Sequence, residues 1–418
     1  MSLLKSLHVN KNQLFFGWWI VLGSYVVQVL NGALLFHAFS AYILPLQAEF
    51  GWSRASVSGV FSMVRAESGI LGPLQGWLIE RCGPKIMMQV GIAFFGAGYI
   101  YFSRIDSLWD FYLSFALIAL GSSLGGFIPI SATITHWFAR QRATALGISM
   151  TGMGVGGLLV PLVVWSLTHW GWRDTAFFSG LLIFCLGFPA TLLMRQRPEL
   201  YGLRPDGDSA PVKVEGEAPT VEEPRFTAGQ ALRTPTFWFL SIGHSSALFV
   251  VGTVLVHQIP HMVEHIGMSQ EAAANVTLLL VFMICGQLAG GWIGDRADKR
   301  LVMVTCMWMH AVALVLFAFA TSQFETTLFA AIHGTAWGVR GTLINAIRGD
   351  YFGRASYALI SGFASLVIMV GMTTGPLFAG YLHDLTGSYQ QAFIVLAGCS
   401  ALGSLALILA RKPAAPNK

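Results

Sequence analysis

The chain has 418 residues, a net charge of +5 and a mean hydropathy of +0.63. Apolar residues make up 55% and charged residues 11%, about half the charged share of a soluble domain. No soluble core absorbs that much apolar surface, so an ordinary cytosolic enzyme is excluded and a bilayer is the solvent that fits.

Apolar runs separated by charges predict twelve spans, at 15–40, 54–79, 84–103, 108–133, 142–167, 173–194, 235–263, 270–294, 300–321, 323–348, 354–382 and 389–411. Each is long enough to cross about 30 Å of hydrocarbon. The runs are continuous rather than alternating, so the spans are helices. The first apolar stretch is long enough to remain as a span rather than a cleaved signal. With the N-terminus inside, 20 of the 25 basic residues fall in cytoplasmic segments. That bias predicts a multi-pass protein of the cell (inner) membrane with both termini cytoplasmic.

The basic residues sit in short loops rather than on one face, so no nucleic-acid partner is expected. The five cysteines are scattered and form no CxxC or Cys/His cluster. No metal, cofactor or disulfide is expected. Gly152-Met-Gly154-Val-Gly156-Gly157 satisfies GxGxxG and Gly121-Ser-Ser123-Leu-Gly125 satisfies GxSxG. Neither has the strand that a nucleotide site or a nucleophile elbow needs, and helix-packing glycines explain both. No catalytic residues are expected.

Residues 195–234 carry acidic residues and Pro198, Pro205, Pro211, Pro219 and Pro224. They read as a flexible cytoplasmic linker between an N-terminal six-helix half, 1–194, and a C-terminal half, 235–418. Thr234-Pro235 restarts a helix, with Thr as N-cap and Pro in the first turn. The halves repeat weakly at an offset of about 215 residues. Gly76-Trp-Leu-Ile-Glu80-Arg81 matches Gly291-Trp-Ile-Gly-Asp295-Arg296, Trp137-Phe138 matches Tyr351-Phe352, and Ala176-Phe177 matches Ala392-Phe393. Duplicated halves place a central site at their interface.

Glycine, an acid four residues on, then arginine, after spans 2 and 8, resembles the signature of the major facilitator superfamily. Within it, the run from Phe138 through Arg142, Ala145, Gly147, Ser149 and Gly152 to Gly156 is similar to the span 5 motif of monocarboxylate transporters and oxalate–formate antiporters. Leu232-Arg-Thr-Pro-Thr-Phe-Trp238 resembles the antiporters' entry to span 7. The resemblance implies an all-α fold of two pseudo-symmetric six-helix halves, and transport. It also marks departures. The antiporters' two anion-holding cations align with Gln287 and Val367, and the acid and arginine that monocarboxylate carriers place on span 8 are missing.

Away from the span ends, three fixed charges lie inside the predicted spans: Arg65, Glu67 and Arg340. Each costs about 2.5–3.5 kcal/mol at a helix centre and needs a partner or a water-filled cavity. His333, Trp337 and Arg340 are spaced i, i+4, i+7 and share one face of span 10. An arginine fork beside an aromatic wall suits a carboxylate with an apolar tail. By resemblance Trp337, His37 and Phe127 align with aromatic pocket positions of the antiporters. Asn31 is a polar residue in mid-span, Arg65 offers a second charge, and His244 and His257 could relay a proton. Glu67 is the acid deepest in a span and the candidate for proton coupling. Glu80-Arg81 and Asp295-Arg296, at helix ends, are read as gate clusters, as they are in the family.

The function expected is a monomeric secondary transporter, not an enzyme. It would move a small organic anion, best read as a monocarboxylate, by alternating access with proton symport. Two rivals remain at this point. One is a proton-coupled exporter of amphiphilic or cationic compounds, and the other is a membrane receptor that does not transport.

Overall fold

The computed structural model describes residues 14–208, 224–268 and 271–416, without the side chains of Arg54, Ala55, Ser58, Phe61, Ser62 and Arg65. Among these residues the regular elements are helices, with no strand. Helix α1, Gly17–Phe50, runs as Gly17–Leu30, widens into a π segment at Asn31–Phe36 and resumes at Phe39–Phe50. Helix α2 is Arg54–Ile70 and Gly72–Cys82, interrupted at Leu71 ahead of Gly72-Pro73. Helix α3 is Pro84–Phe102, and α4 is Leu108–Trp137 with a break at Gly126.

The next helical stretch, Arg142–Leu192, has 51 residues, too many for one pass. It turns at Gly171, whose φ of 80° is accessible to glycine at little cost. Helix α5 is therefore 142–170 and α6 is 172–192. Helix α7, Pro235–Ile266, ends in a π segment, Met262–Ile266. Then follow α8, Glu271–Gly294; α9, Lys299–Ala318; α10, Gln323–Phe352; α11, Tyr357–Thr386; and α12, Gln390–Leu409.

Nine described stretches are long and apolar enough to cross a membrane by length and composition. One of them holds both α5 and α6. The two passes missing from the nine are α2 and α10, the helices that carry Glu67 and Arg340. All twelve predicted spans are thus present as helices. The boundaries differ most at α1, which runs ten residues past the expected end, and α10 runs four residues past its own. Helix α10 stops at Gly353, where φ is 77°. The expected N-cap of α7 is present, with Thr234 accepting the Phe237 N–H at 3.3 Å.

The packing repeats between the halves. Helix α1 lies on α5, as α7 lies on α11; α2 on α4, as α8 on α10; and α3 on α6, as α9 on α12. The halves meet along two crossings, α5 with α8 and α2 with α11. Glycines set both. Gly147 faces the Gln287 carbonyl and Gly291, and Gly76 faces Ala358 and Leu359, main chain against main chain. The glycines of the GxGxxG run serve the same purpose: Gly152 and Gly156 abut α1, and Gly154 abuts Ile284 on α8.

The ends of segment 195–234 are ordered, and its middle, 209–223, lies outside the described residues. Asp206 accepts the main-chain N–H groups of Ala139, Arg140 and Gln141 at 3.1, 2.9 and 3.3 Å. Phe226 donates its N–H to the Phe352 carbonyl at 3.2 Å. Both ends therefore sit at the same end of the bundle as the α4–α5 and α10–α11 turns, called here the linker end.

A Cβ on Gly76 would lie 2.5 Å from the Ala358 oxygen, whereas nothing lies within 4 Å of one on Gly398. Gly76→Leu is expected to destabilise the assembled halves by about 1–3 kcal/mol through overpacking, and Gly398→Leu to leave stability near wild type. Thermal melting of the purified protein in detergent checks both. Equal melting temperatures for the two variants would contradict the packing account.

Candidate substrate site and gate

Arg340 is 1% exposed. Its Nη1 donates to His244 Nδ1 on α7 at 2.5 Å, while Nε and Nη2 have no hydrogen-bond partner. Among the described residues no carboxylate pairs with it. Arginine only donates, so Nδ1 accepts and the ring proton sits on Nε2. The pair offers two free guanidinium nitrogens, Nε and Nη2, and the N–H of His244, a half-buried residue. Trp337, one turn away on α10, is also half-buried.

His333 is turned elsewhere. Its Nδ1 lies 3.1 Å from His310 Nδ1 on α9, and its ring packs on Phe329 at 5.2 Å. The stripe read from the sequence therefore splits, with His333 bonded to α9 and Arg340 to α7. Nothing local distinguishes His244 from His257 as the arginine's neighbour, because their register on α7 against α10 is a tertiary fact. His257 bonds the Pro376 carbonyl at 2.9 Å instead.

The N-terminal half brings its own polar residues. Asn31 Nδ2 donates to the Val27 carbonyl at 3.0 Å, and Asn31 Oδ1 accepts from Ser122 Oγ, tying the π segment of α1 to α4. His37 follows that segment, half-buried, edge-on to Phe36 at 5.1 Å and facing Gly157 of α5. Such π segments are frequent at functional sites. Phe127 is half-buried at the restart of α4 after Gly126. Glu67 is half-buried on α2. Its Oε2 accepts from Ser68 Oγ at 3.2 Å, Ser123 of α4 lies beside it, and Oε1 is buried without a partner. Glu67 therefore has Ser123 of α4 as its neighbour from another helix. The Arg65 side chain lies outside the described residues.

The predicted span 10, 323–348, places Arg348 at a helix end. Because α10 extends to Phe352, Arg348 is 3% exposed instead. Its i+8 spacing from Arg340 was the available signal, since such positions share a helix face.

The gate clusters resolve into acids and arginines with different partners. Glu80, at the end of α2, accepts the Leu359 N–H in the first turn of α11 at 3.1 Å. Asp295, just past α8, accepts the Ala143 and Thr144 N–H groups in the first turn of α5 at 2.9 and 3.0 Å. Each acid thus caps a helix of the opposite half, where free N–H groups and the helix dipole favour negative charge. Arg81 and Arg296 stay on their own helices, over Trp77 at 5.2 Å and Trp292 at 4.6 Å.

Further bonds cross at the linker end. Arg142, 3% exposed, pairs with Asp350 at 2.5 Å, and Asp350 also holds Lys299 at 2.7 Å. Arg354 donates to the His136 carbonyl at 3.0 Å and pairs with Glu199 at 2.8 Å. At the opposite end the ion pairs among the described residues stay within halves. Glu49 holds Arg173 at 2.8 Å and Trp172 at 2.6 Å, and Glu264 meets His383 at 3.1 Å.

Asp295→Asn and Glu80→Gln are each expected to weaken the latch by about 0.5–2 kcal/mol, the range for lost helix caps. The double variant should sum the two. Distances between spin labels at the linker ends of α4 and α10 report the populations. An unchanged distribution in the double variant would contradict the latch.

The sequence model described as Major Facilitator Superfamily matches residues 24–286 and 256–418. Monocarboxylate transporter 13 of Bos taurus is 24% identical over 399 residues, covering 94% of this chain and 88% of the relative. The oxalate:formate antiporter of Oxalobacter formigenes is 24% identical over 392 residues, covering 91% of this chain and 88% of the relative. Among solved structures, the transporter FucP in the outward conformation superposes with a TM-score of 0.74 at 14% identity, covering 95% of this chain and 99% of that one. The human organic anion transporter MFSD10 gives 0.64 at 15% identity, covering 94% and 97%. With twelve helices in two repeated halves latched at one end, the chain belongs to the major facilitator superfamily.

Proposed function

We propose that the chain is a secondary carrier, not an enzyme, that moves a small organic anion, a monocarboxylate, by alternating access with proton symport. One observation carries this: Arg340 is buried, bonded to the acceptor Nδ1 of His244, and left with two unpartnered guanidinium nitrogens, Nε and Nη2. A buried guanidinium is costly unless an anion completes it, and a carboxylate matches its fork. Trp337 supplies an apolar wall for the rest of the substrate. The names of the relatives, which refer to monocarboxylates, oxalate and formate, support the same class.

In this account the anion sits between Arg340, His244 and Trp337 of the C-terminal half and Asn31, His37, Phe127 and Arg65 of the N-terminal half. His333 braces α10 against α9. Glu67 carries the coupled proton, which would supply the hydrogen bond that its Oε1 lacks. Glu80 and Asp295, flanked by Arg81 and Arg296, gate the linker end. The excess of basic residues there supports a cytoplasmic face for that end and for both termini, in the cell membrane. The latched form is then outward-facing. Segment 195–234 joins halves 1–194 and 235–418, and one chain contains the whole path.

Thermal shift of wild type and Arg340→Gln against acetate, pyruvate, oxalate and tetraethylammonium tests the substrate class. A ligand that binds the folded form raises its melting temperature by mass action. Carboxylates are expected to stabilise wild type and not the variant. Stabilisation of both by the amine, and by no carboxylate, would favour the cation exporter, for which the unpartnered Glu67 oxygen is the supporting observation. Glu67→Gln is expected to abolish pH-driven uptake into proteoliposomes while exchange persists. Unchanged pH-driven uptake would remove Glu67 from coupling.

A further inference from the structure

Arg348 has no part in the site or the latch described above, yet its surroundings are unusual. It is 3% exposed. Nη1 donates to Asn345 Oδ1 at 3.2 Å and Nη2 is buried without a partner. Among the described residues no carboxylate pairs with it. Asn345 Nδ2 gives one of its two N–H groups to the Gly341 carbonyl at 2.8 Å and keeps the other, and its own carbonyl accepts from Tyr357 Oη at 3.2 Å. Ser361, one turn beyond Tyr357 on α11, is also buried with an unpartnered hydroxyl.

The position of Arg348 gives this a direction. The next residue, Gly349, packs against Arg142 and Thr135 of the N-terminal half, and Asp350 after it takes the Arg142 ion pair. Arg348 therefore lies just inside the latch. Toward the other end it is two turns, about 12 Å of helix rise, from Arg340 on a shared face. An anion that leaves Arg340 for the linker end meets Arg348 next, once the latch parts.

We infer that Arg348, with Asn345 and Ser361, forms a second carboxylate site on the linker side of the substrate site, filled during release and reloading at that face. This rests on Arg340 being the anion contact. Positive charge at two levels on one helix would hand a carboxylate from one desolvated station to the next, so that it never crosses the closed-off section unpaired. It also explains why an arginine one turn from the gate is kept off the gate's own carboxylates: Asp350 is occupied by Arg142 and Lys299.

The test uses full-length protein reconstituted in one orientation, with radiolabelled pyruvate, acetate and oxalate offered separately at each face. Arg348→Gln is expected to raise the linker-face half-saturation at least tenfold while half-saturation at the opposite face stays within twofold of wild type. Arg348→Lys, which keeps charge without the fork, should show a smaller rise of the same sidedness, and it carries the test should the glutamine variant fail to fold. Equal half-saturation at both faces in both variants, with Arg340→Gln still inactive, would overturn the second site alone. A loss that is equal at the two faces would mark Arg348 as structural and overturn it too. No saturable flux of any of the three carboxylates in wild type would overturn the first site, and the second with it.

Discussion

A guanidinium buried in a bilayer-spanning bundle without a carboxylate is the constraint around which this molecule is arranged. Arg340 has an imidazole where an ion pair would be expected, and two of its donors are unspent. In low dielectric a charge of that kind cannot be left alone, and attraction to an anion is far stronger than in water. The sequence bears the cost visibly. Helix α10 and its counterpart in charge, α2, are the two passes not apolar enough to stand out as spans by composition. The ten remaining passes are apolar enough to hold them in place.

The second organising feature is an asymmetry between the two ends. At the linker end, acids cap helices of the other half, and arginines cross to partners there. At the opposite end, Arg173 and His383 bond within their own halves. Ties of that pattern keep each half rigid while leaving their mutual angle to a few breakable bonds. Capping bonds suit a gate because each is worth only about 1 kcal/mol. Such bonds can be exchanged for others without unfolding anything. The glycine crossings bring the main chains of the two halves together, so their fit also depends on shape.

Much of the fold was legible in the sequence. The twelve apolar runs, the internal repeat and the Thr234-Pro235 restart all reflect local chemistry, and all correspond to helices, packing pairs or caps. The positions of Glu80 and Asp295 at helix ends are legible for the same reason, although the helices of the other half that they cap are not. Side-chain partners are a different matter. His333 shares a face with Arg340 on paper, but a helix face spans several neighbours, and α9 takes one residue while α7 takes the other. Arg81 and Arg296 sit beside the gate acids in sequence yet lie over their own tryptophans. Arg348 was hidden by a boundary shift of four residues, which moved it from a helix end to a buried turn.

The most direct measurement is counterflow of radiolabelled pyruvate, acetate and oxalate in proteoliposomes holding wild type, Arg340→Lys or Arg340→Gln. Counterflow needs only binding and the conformational cycle, so it isolates the anion contact from proton coupling. Saturable counterflow of a carboxylate by wild type, weakened in the lysine variant and lost in the glutamine variant, is the expected result. Equal counterflow by wild type and Arg340→Gln would contradict the account at its centre.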